Sequence, residues 1–267
     1  MASFGKVSSV TQKGLYEPFE LQVARGQISL HTPFCQFGIN ATVGTDNETI
    51  WIGSSVYTFP AAAAATTVSS SNAADTGAGA GARTVRIEGV NANYEAVGET
   101  ATLNGQTAVA LTNQYLRVNK ITVLTAGANG TSSGNIYVGT GAVNTGVPAA
   151  VINQTGILSN ESESAFYTVP AGFTAYVTRW TMSSGSGTAN SHTRFTLRVR
   201  PFGGVFGYKA LYNLPGSGIY ECEAAFPLPI PEKADLDVLA ATSVDSATVS
   251  TQLQIVLIRN SYDTGNT

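Results

Sequence analysis

Few side chains in this sequence could carry out chemistry, and histidine is the scarcest of them. Only His31 and His192 occur among the 267 residues. A Ser-His-Asp triad needs an imidazole that is held by a carboxylate, but His31 lies in an extended N-terminal stretch and His192 in a turn-like stretch before a predicted strand. His31 and Cys35 have the spacing of half a zinc site, yet no second close pair of ligands follows them in the sequence. We therefore expect no catalytic residue, no metal site and no cofactor, and a protein that is not an enzyme.

Two carboxylate pairs are the next candidates. Asp235 and Asp237 share one face of a predicted strand, and Glu161 and Glu163 have the same spacing. Either pair could hold Ca²⁺ or divide the acid and nucleophile roles of a glycosidase. Because the sequence does not set the separation of the carboxyl groups, we interpret both pairs as solvated faces.

A glycine-rich run, Gly77 to Gly81, superficially fits a dinucleotide-binding loop. Such a loop must follow a strand and open a helix, so that backbone amides meet the pyrophosphate. This run instead opens a strand at Arg83. We expect a flexible or closely packed loop.

The composition indicates which elements must position these residues. Only 12% of the residues are charged, while glycine alone accounts for 28 positions. Strands favour β-branched and aromatic residues and their turns use Gly and Asn, whereas helices need the Leu, Lys, Glu and Arg that are scarce here. The net charge of −3 and the pI of about 5.4 argue against nucleic acid as a partner. No apolar run approaches the length of a membrane span, so we expect no membrane partner.

Alternating hydrophobicity predicts many short antiparallel strands. The clearest stretch is residues 193–200, where Phe195, Leu197 and Val199 face one way and arginines the other. Asn104-Gly105 between two alternating runs predicts a hairpin with a type I′ turn. The five alanines that follow Pro60 predict at most a turn or two of helix. Cys35 and Cys222 are too few for a disulfide framework, and we expect two reduced, buried thiols.

These patterns predict an all-β chain of two antiparallel β-sandwich modules with an extended N-terminal arm. We place the arm at residues 1–44, the first sandwich at 45–148 and a second, jelly-roll-like sandwich at 149–267, with a crossover in 147–164.

Along nearly its whole length the sequence resembles virion structural proteins of tailed phages that infect marine bacteria. The stretches that carry the resemblance are residues 17–27, 37–38, 48–51, 75–85, 99–100, 103–105, 167–174, 200–203 and 232–235. The resemblance implies a component of the virion that is synthesised in the host cytoplasm. It does not decide between capsid, tail and fibre.

A physical argument favours a capsid decoration or cement protein. An apolar arm without internal periodicity, joined to two small-residue β modules, suits a protein that docks on a lattice. We expect the arm to bind the major capsid protein and the chain to form a homo-oligomer, a trimer, because tailed-phage heads offer threefold positions. The residues expected to bind partners are Tyr16, Phe19, Leu21, Val23 and Arg25 in the arm, and Arg194, Arg198 and Arg200, whose forks suit carboxylates of a neighbouring subunit.

Two alternatives stay open. A tail or head fibre protein would bind host-surface carbohydrate through exposed aromatic rings, for which the candidates are Trp180, Tyr208, Tyr212 and Tyr220. A phage-borne depolymerase has the least support, because no acid/base pair can be defended.

Overall fold

Sixteen β-strands and one short helix make up the regular structure of the residues that the computed structural model describes, which are 17–53, 55–186, 188, 190–244 and 246–260. The first elements are α1 (Phe19–Ala24), β1 (His31–Val43), β2 (Glu48–Thr49), β3 (Ala65–Ser70), β4 (Ala82–Val90), β5 (Ala96–Thr102), β6 (Val109–Tyr115), β7 (Arg117–Ala126) and β8 (Ile136–Asn144). The remainder are β9 (Val147–Gln154), β10 (Phe166–Thr168), β11 (Phe173–Gly185), β12 (His192–Arg200), β13 (Gly207–Pro215), β14 (Ser217–Ile230), β15 (Asp235–Thr242) and β16 (Ala247–Arg259). All strand pairs in this part of the chain are antiparallel, which confirms the predicted all-β class.

The main sandwich combines strands from both ends of the chain. Its sheet A has the order β1-β16-β11-β14, and its sheet B has the order β10-β15-β12-β13 with β2 beside β15. The alternation predicted for β12 is observed, since Phe195, Leu197 and Val199 are buried in the core between the sheets. Leu253 and Ile255 of β16 reach the same core from sheet A. Alternating side chains thus bury one face of each strand.

The inserted sandwich lies between β2 and β10 in the sequence. Its sheet C has the order β6-β3-β8-β9, and its sheet D has the order β5-β4-β7. The two sheets enclose a separate core to which Ile87, Ile121 and Ile136 contribute. Strands β3 to β9 therefore bury their apolar faces without help from the main sandwich.

The sheet membership differs from the predicted layout at the N-terminus. The predicted arm of residues 1–44 contains β1, which pairs with β16 along nearly its whole length, from His31 opposite Ile258 to Val43 opposite Ala247. Pro33 hides this strand in the sequence, but proline is tolerated on an edge strand, and β1 is at the edge of sheet A. The segment 147–164, predicted as a crossover, begins with strand β9. The division into domains stays a prediction.

One local prediction, the hairpin at Asn104-Gly105, is wrong. Asn104-Gly105 does not close a hairpin, because β5 pairs with β4 in sheet D whereas β6 pairs with β3 in sheet C. Gly105 has the positive φ (58°) that was expected, but here it serves a connection between sheets. The alanine run before Ala65 forms no helix, within the predicted limit of a turn or two, and the only helix in the described ranges is α1, in the stretch predicted as an extended arm. At Asn104-Gly105, local turn propensity was overruled by the burial that sheet packing offers.

The glycine run is a closely packed loop, one of its two expected forms. A Cβ at Gly79 would overlap the carbonyl of Ala74, and a Cβ at Gly81 would overlap the Asp75 carboxylate. Asp75 is buried and accepts hydrogen bonds from the backbone N–H groups of Ala82 (2.7 Å) and Ser133 (2.8 Å), among others. The loop is thus held around a buried carboxylate.

Amide side chains join the two sandwiches. Asn119 of β7 donates to the carbonyl of Thr168 (2.9 Å) and accepts from its N–H (2.9 Å). Gln36 of β1 donates to the carbonyl of Asn119 on β7 (3.4 Å), and within the main sandwich to the carbonyls of Ser164 (2.7 Å) and Phe166 (3.0 Å). Buried polar groups that are paired in this way fix one geometry for the contact.

Candidate functional site

The N-terminal anchors predicted from the sequence lie on helix α1, except Tyr16, which is outside the described residues. The helix begins after Pro18 and ends in a Schellman motif, in which Gly26 (φ 69°) donates to the carbonyl of Val23 (3.0 Å) and Gln27 to that of Gln22 (2.9 Å). Six residues are too few for a stable isolated helix, so tertiary contacts must hold it.

Those contacts are made on the outer face of sheet A. Val23 is only 2% exposed, and with Phe19 it lines a cleft of about 500 Å³ whose floor includes Pro33 and Val256. Phe19 also meets the His31 ring edge-on, at 6.1 Å between centroids. Phe19 and Leu21 each remain 47% exposed. The predicted anchors thus divide into one that fastens the helix and two that face solvent.

Arg25, the last predicted residue of the arm, is engaged within the chain. Its guanidinium donates to the carboxylate of Glu17, whose side chain is buried although that of Arg25 is half-exposed. Gln22 donates to the backbone carbonyl of Glu17 (2.6 Å). These bonds brace the first and last turns of α1, so Arg25 positions the helix.

The three arginines expected at an interface are also paired within the chain. Arg198 binds Asp237 with two hydrogen bonds (2.9 and 2.6 Å), and Arg200 binds Asp235 with two (3.1 and 2.5 Å). Arg194 donates to the amide oxygen of Asn47 (2.8 Å). Their role in partner binding stays a prediction, and each already has an intramolecular acceptor.

Asp235 is the centre of a buried ionic cluster. Besides Arg200 it binds Arg117 of β7, through Nε (3.0 Å) and Nη2 (3.2 Å), and it accepts from the hydroxyl of Thr168 (2.5 Å). All eight residues of β15 are buried, so the prediction of a solvated face for Asp235 and Asp237 is wrong. The reason is that the segment around Trp51, Tyr57 and Phe59 packs over the outer face of sheet B as a small core of its own.

Aromatic rings complete this cluster. The guanidinium of Arg200 lies over both Phe59 (5.2 Å) and Phe206 (4.8 Å), and that of Arg198 lies over Phe206 (4.5 Å). Stacking of this kind replaces part of the hydration that buried guanidinium groups lose. This arrangement indicates a structural connection between the two sandwiches rather than a reactive centre.

The titration behaviour fits that interpretation. Burial raises the pKa of the Asp237 carboxyl, and the guanidinium of Arg198 offsets only part of this effect. Every carboxylate oxygen of Asp235 and Asp237 accepts a hydrogen bond from an arginine. Neither group is therefore free to act as a glycosidase acid or nucleophile, or to bind Ca²⁺.

Tyr57 lies beside the same cluster. Its ring stacks on that of Phe166, with 3.7 Å between centroids, and its hydroxyl is buried without a hydrogen-bond partner among the described residues. Burial raises the pKa of this hydroxyl, so the phenol stays neutral.

The histidines have ordinary surroundings. His31 is bonded through Nδ1 to the carbonyl of Ser29 (2.8 Å), and His192 is exposed at the start of β12. Among residues 17–53, 55–186, 188, 190–244 and 246–260, no three His, Cys, Asp or Glu side chains lie close enough to hold a metal ion. Over those same ranges, no helix has the length and apolar character needed to cross a membrane.

The two cysteines are free thiols. Cys35 is exposed, and Cys222 is partly buried. Burial of Cys35 was therefore predicted wrongly, because it lies on the outer face of sheet A, one residue along from the inward-facing Phe34.

The aromatic residues proposed as a sugar platform do not form one. Trp180 is inside the core, where its indole N–H donates to the hydroxyl of Thr251 (2.7 Å). Tyr212 and Tyr220 are in contact with each other, at 5.4 Å between centroids, and Tyr208 is exposed on a different strand face. A hydrogen bond with Cys222 (3.2 Å) is the main reason that the pKa of Tyr212 rises to about 12.

A concentration of exposed apolar side chains lies in residues 202–226, of which the sequence had indicated only Tyr208 and Tyr220 as exposed. Seven of the fifteen large hydrophobic side chains that are exposed in the described residues lie within residues 202–226, and they are Phe202, Val205, Tyr208, Leu211, Ile219, Tyr220 and Phe226. These residues belong to β13, β14 and the loop before β13. Because apolar residues in an alternating run are normally taken for core, only the strand order could reveal that they lie at a sheet edge.

Comparison with known proteins gives faint likenesses. No family model matches the chain, and no curated protein matches it. Among solved structures, the chain is similar to one titled as the crystal structure of the infectious bursal disease virus VP2 subviral particle, with 11% identity over 87% of this chain and 73% of that one and a TM-score of 0.24. A structure of the Gx strain of the same virus aligns with 11% identity over 88% of this chain and 74% of that one, with a TM-score of 0.22. One of the Gt strain aligns with 12% identity over 92% and 83%, with a TM-score of 0.19.

Proposed function

We propose that this chain is a structural protein of a virion, a capsid decoration protein that binds the major capsid protein through α1 and the residues before it. The observation that carries the proposal is that α1 buries one of its apolar side chains against the protein and leaves two others half-exposed. Val23 fastens the helix to sheet A, while Phe19 and Leu21 each keep about half of their surface exposed on a helix with a braced geometry. The sequence resemblance to virion structural proteins of tailed phages supports a structural role in the virion, without selecting decoration over fibre.

The exposed halves of Phe19 and Leu21 are enough for a useful contact. Full burial of such a side chain contributes about 1.5–3 kcal/mol. Covering the exposed half of each would thus contribute about 1 kcal/mol per residue, before ordering costs. A single copy would bind weakly, but a homo-oligomer repeats the contact and multiplies the effect.

A trimer is the oligomer that we propose, because a closed ring of three copies on a threefold position meets three equivalent capsid subunits. The arm then contacts the lattice, and the rigid sandwiches face outward. Binding of this kind needs no catalytic group, and it locates the protein in the virion.

Co-sedimentation with phage heads tests the proposal. The double variant Phe19→Ser/Leu21→Ser changes only half-exposed side chains, so it is expected to fold and to lose about tenfold or more in affinity for heads assembled from the major capsid protein. The matched control is Leu124→Ser, which removes a similarly exposed leucine from β7 of the inserted sandwich. Full occupancy by the double variant, or equal loss with the control, would refute the role of α1.

The alternative of a carbohydrate-binding fibre protein is favoured by no particular observation. Its aromatic candidates are divided between the core and separate strand faces. If particles that lack this chain had heads of normal stability but failed to adsorb to the host, the fibre alternative would be supported.

A further inference from the structure

Strands β13 and β14 form one open side of the main sandwich. β14 is the last strand of sheet A and β13 the last of sheet B, so each has one backbone edge that pairs with no strand of the described chain. The two strands run in opposite directions from Gly216 (φ 56°). Tyr212 and Tyr220, each four residues from Gly216, are in ring contact. Residues equally far in sequence from Gly216 therefore lie at about the same position along the strand direction, which we call their height. The side of the main sandwich that β13 and β14 form is called the open edge.

The open edge is unusually apolar. Ile219 is 77% exposed, Val205 83% and Phe226 91%. Phe226 projects from a bulge, because the ladder passes from Arg179 opposite Glu223 to Val177 opposite Leu228, and residues 224–227 are left without partners. Long, unprotected apolar edges pair with other chains unless they are covered, and such a concentration of exposed apolar side chains marks an interface.

Charges on the open edge are complementary between its two strands. On β14, Glu221 and Glu223 share the single guanidinium of Arg179 (2.9 and 3.6 Å), which leaves a surplus negative charge. On β13, Lys209 is exposed and forms no ion pair with the part of the chain that the structure describes. Lys209 and Glu223 are each seven residues from Gly216, so the basic and the acidic group lie at similar heights.

This arrangement selects one way of joining copies. A rotation about an axis parallel to the strands leaves the height of every residue unchanged. It places β13 of one copy antiparallel to β14 of the next, so that Lys209 of one faces Glu223 of the other. A two-fold axis perpendicular to the sheets would instead place β14 beside β14 with the heights reversed, so that Glu223 would not face Lys209. Pro227 and Pro229 lack backbone donors, so main-chain pairing on β14 is limited to residues 217–223.

We propose that the open edge is the surface through which copies of this chain associate, β13 of one copy against β14 of the next, around an axis parallel to the strands. Two or three copies close such a ring, and the apolar side chains of residues 202–226 become buried in it. The inference rests on the homo-oligomer of the proposed function, but it does not depend on capsid binding.

A charge swap tests the open edge. The mass of the purified full-length chain is measured over a concentration series by light scattering or sedimentation. Lys209→Glu and Glu223→Lys each place like charges opposite one another at every contact, and each is expected to weaken association about tenfold or more. The combined variant Lys209→Glu/Glu223→Lys restores opposite charges and is expected to return the affinity to within about threefold of the original. The matched control is Glu88→Lys, at an exposed position of the inserted sandwich.

The outcomes separate the two proposals. A dimer or trimer that dissociates in the single variants and reforms in the combined variant supports the open edge. A chain that is monomeric at all concentrations, or an oligomer that none of the reversals weakens, or a combined variant that is no better than the single ones, would overturn it. Head binding is compared only between samples whose oligomer is intact, because dissociation of the oligomer would itself weaken head binding by removing the repeated contacts. An unaltered chain that forms the oligomer but does not bind heads would count against the proposed function and leave the open edge in place.

Discussion

Replacing Arg117 by alanine is expected to lower the free energy of unfolding by about 3 kcal/mol. The Arg117 and Asp235 side chains are only 5% and 4% exposed. Arg117 donates twice to Asp235, and its Nη1 donates to the carbonyls of Pro60 and Leu116. It belongs to the inserted sandwich, whereas Asp235 belongs to the main one, so the change removes a joint between two cores.

The magnitude follows from what remains after the change. Breaking a buried ion pair by removing one partner costs about 3–5 kcal/mol, because a buried charge is left uncompensated. Here Arg200 still binds Asp235 through two hydrogen bonds, so the carboxylate keeps a counter-charge. The backbone carbonyls that lose a donor add about 1 kcal/mol or more each. The counter-charge that Arg200 supplies lowers the cost and the two carbonyls raise it, so a loss near the lower end of the range, about 3 kcal/mol, is expected.

Urea unfolding followed by tryptophan fluorescence and circular dichroism measures this loss. The control is Arg86→Ala, which removes a half-exposed arginine whose nitrogen lies 3.8 Å from the Glu88 carboxylate, and which should cost less than about 0.5 kcal/mol. A double-mutant cycle with Asp235→Asn should give a coupling energy of about 1–3 kcal/mol. A loss below about 1 kcal/mol for Arg117→Ala would show that the cluster does not hold the sandwiches together.

Two further predictions concern carboxylates of the inserted sandwich. Burial raises the pKa of Glu99, but the N–H groups of Thr112 and Asn113 and the hydroxyl of Tyr115 outweigh it, and the pKa is lowered. A lowered pKa stabilises the folded state at pH values above the unfolded pKa of about 4.3, and this stability is lost as the pH falls through the folded pKa. Glu99→Gln should therefore cost about 1 kcal/mol at pH 7 and progressively less in acid. A cost that is independent of pH in urea titrations would contradict this. Asp75→Ala leaves two buried and one partly buried N–H group and one buried hydroxyl without their acceptor, and it should cost about 4 kcal/mol in the same assay. An unchanged urea concentration at the midpoint of unfolding of Asp75→Ala would refute this second prediction.

The sequence by itself determined the class of fold and the faces of its strands. In β12 the inward positions of Phe195, Leu197 and Val199 follow from a period of two, because successive side chains of a strand point to opposite faces. The shortage of charged residues and of strong helix formers excluded a helical protein in the same way. These conclusions depend on neighbouring residues only, and local chemistry is sufficient for them.

Which strands meet, and which polar groups meet, was decided by the tertiary structure. Arg117 reaches Asp235 across 118 positions of the chain, and no local pattern records that pairing. Asn104-Gly105 has the chemistry of a hairpin turn, yet its flanking strands enter different sheets because burial in the second core outweighs local pairing.

The candidate surfaces show the same limit. The segment that carries Phe19, Leu21 and Val23 is recognisable in the sequence, but only packing on sheet A distinguishes the buried anchor from the exposed pair. Phe226 has the character of a core residue in the sequence, and its exposure follows from a bulge on an edge strand. Hydrophobic periodicity tells which side chains need burial, whereas the order of strands in the sheets decides which of them obtain it within one chain.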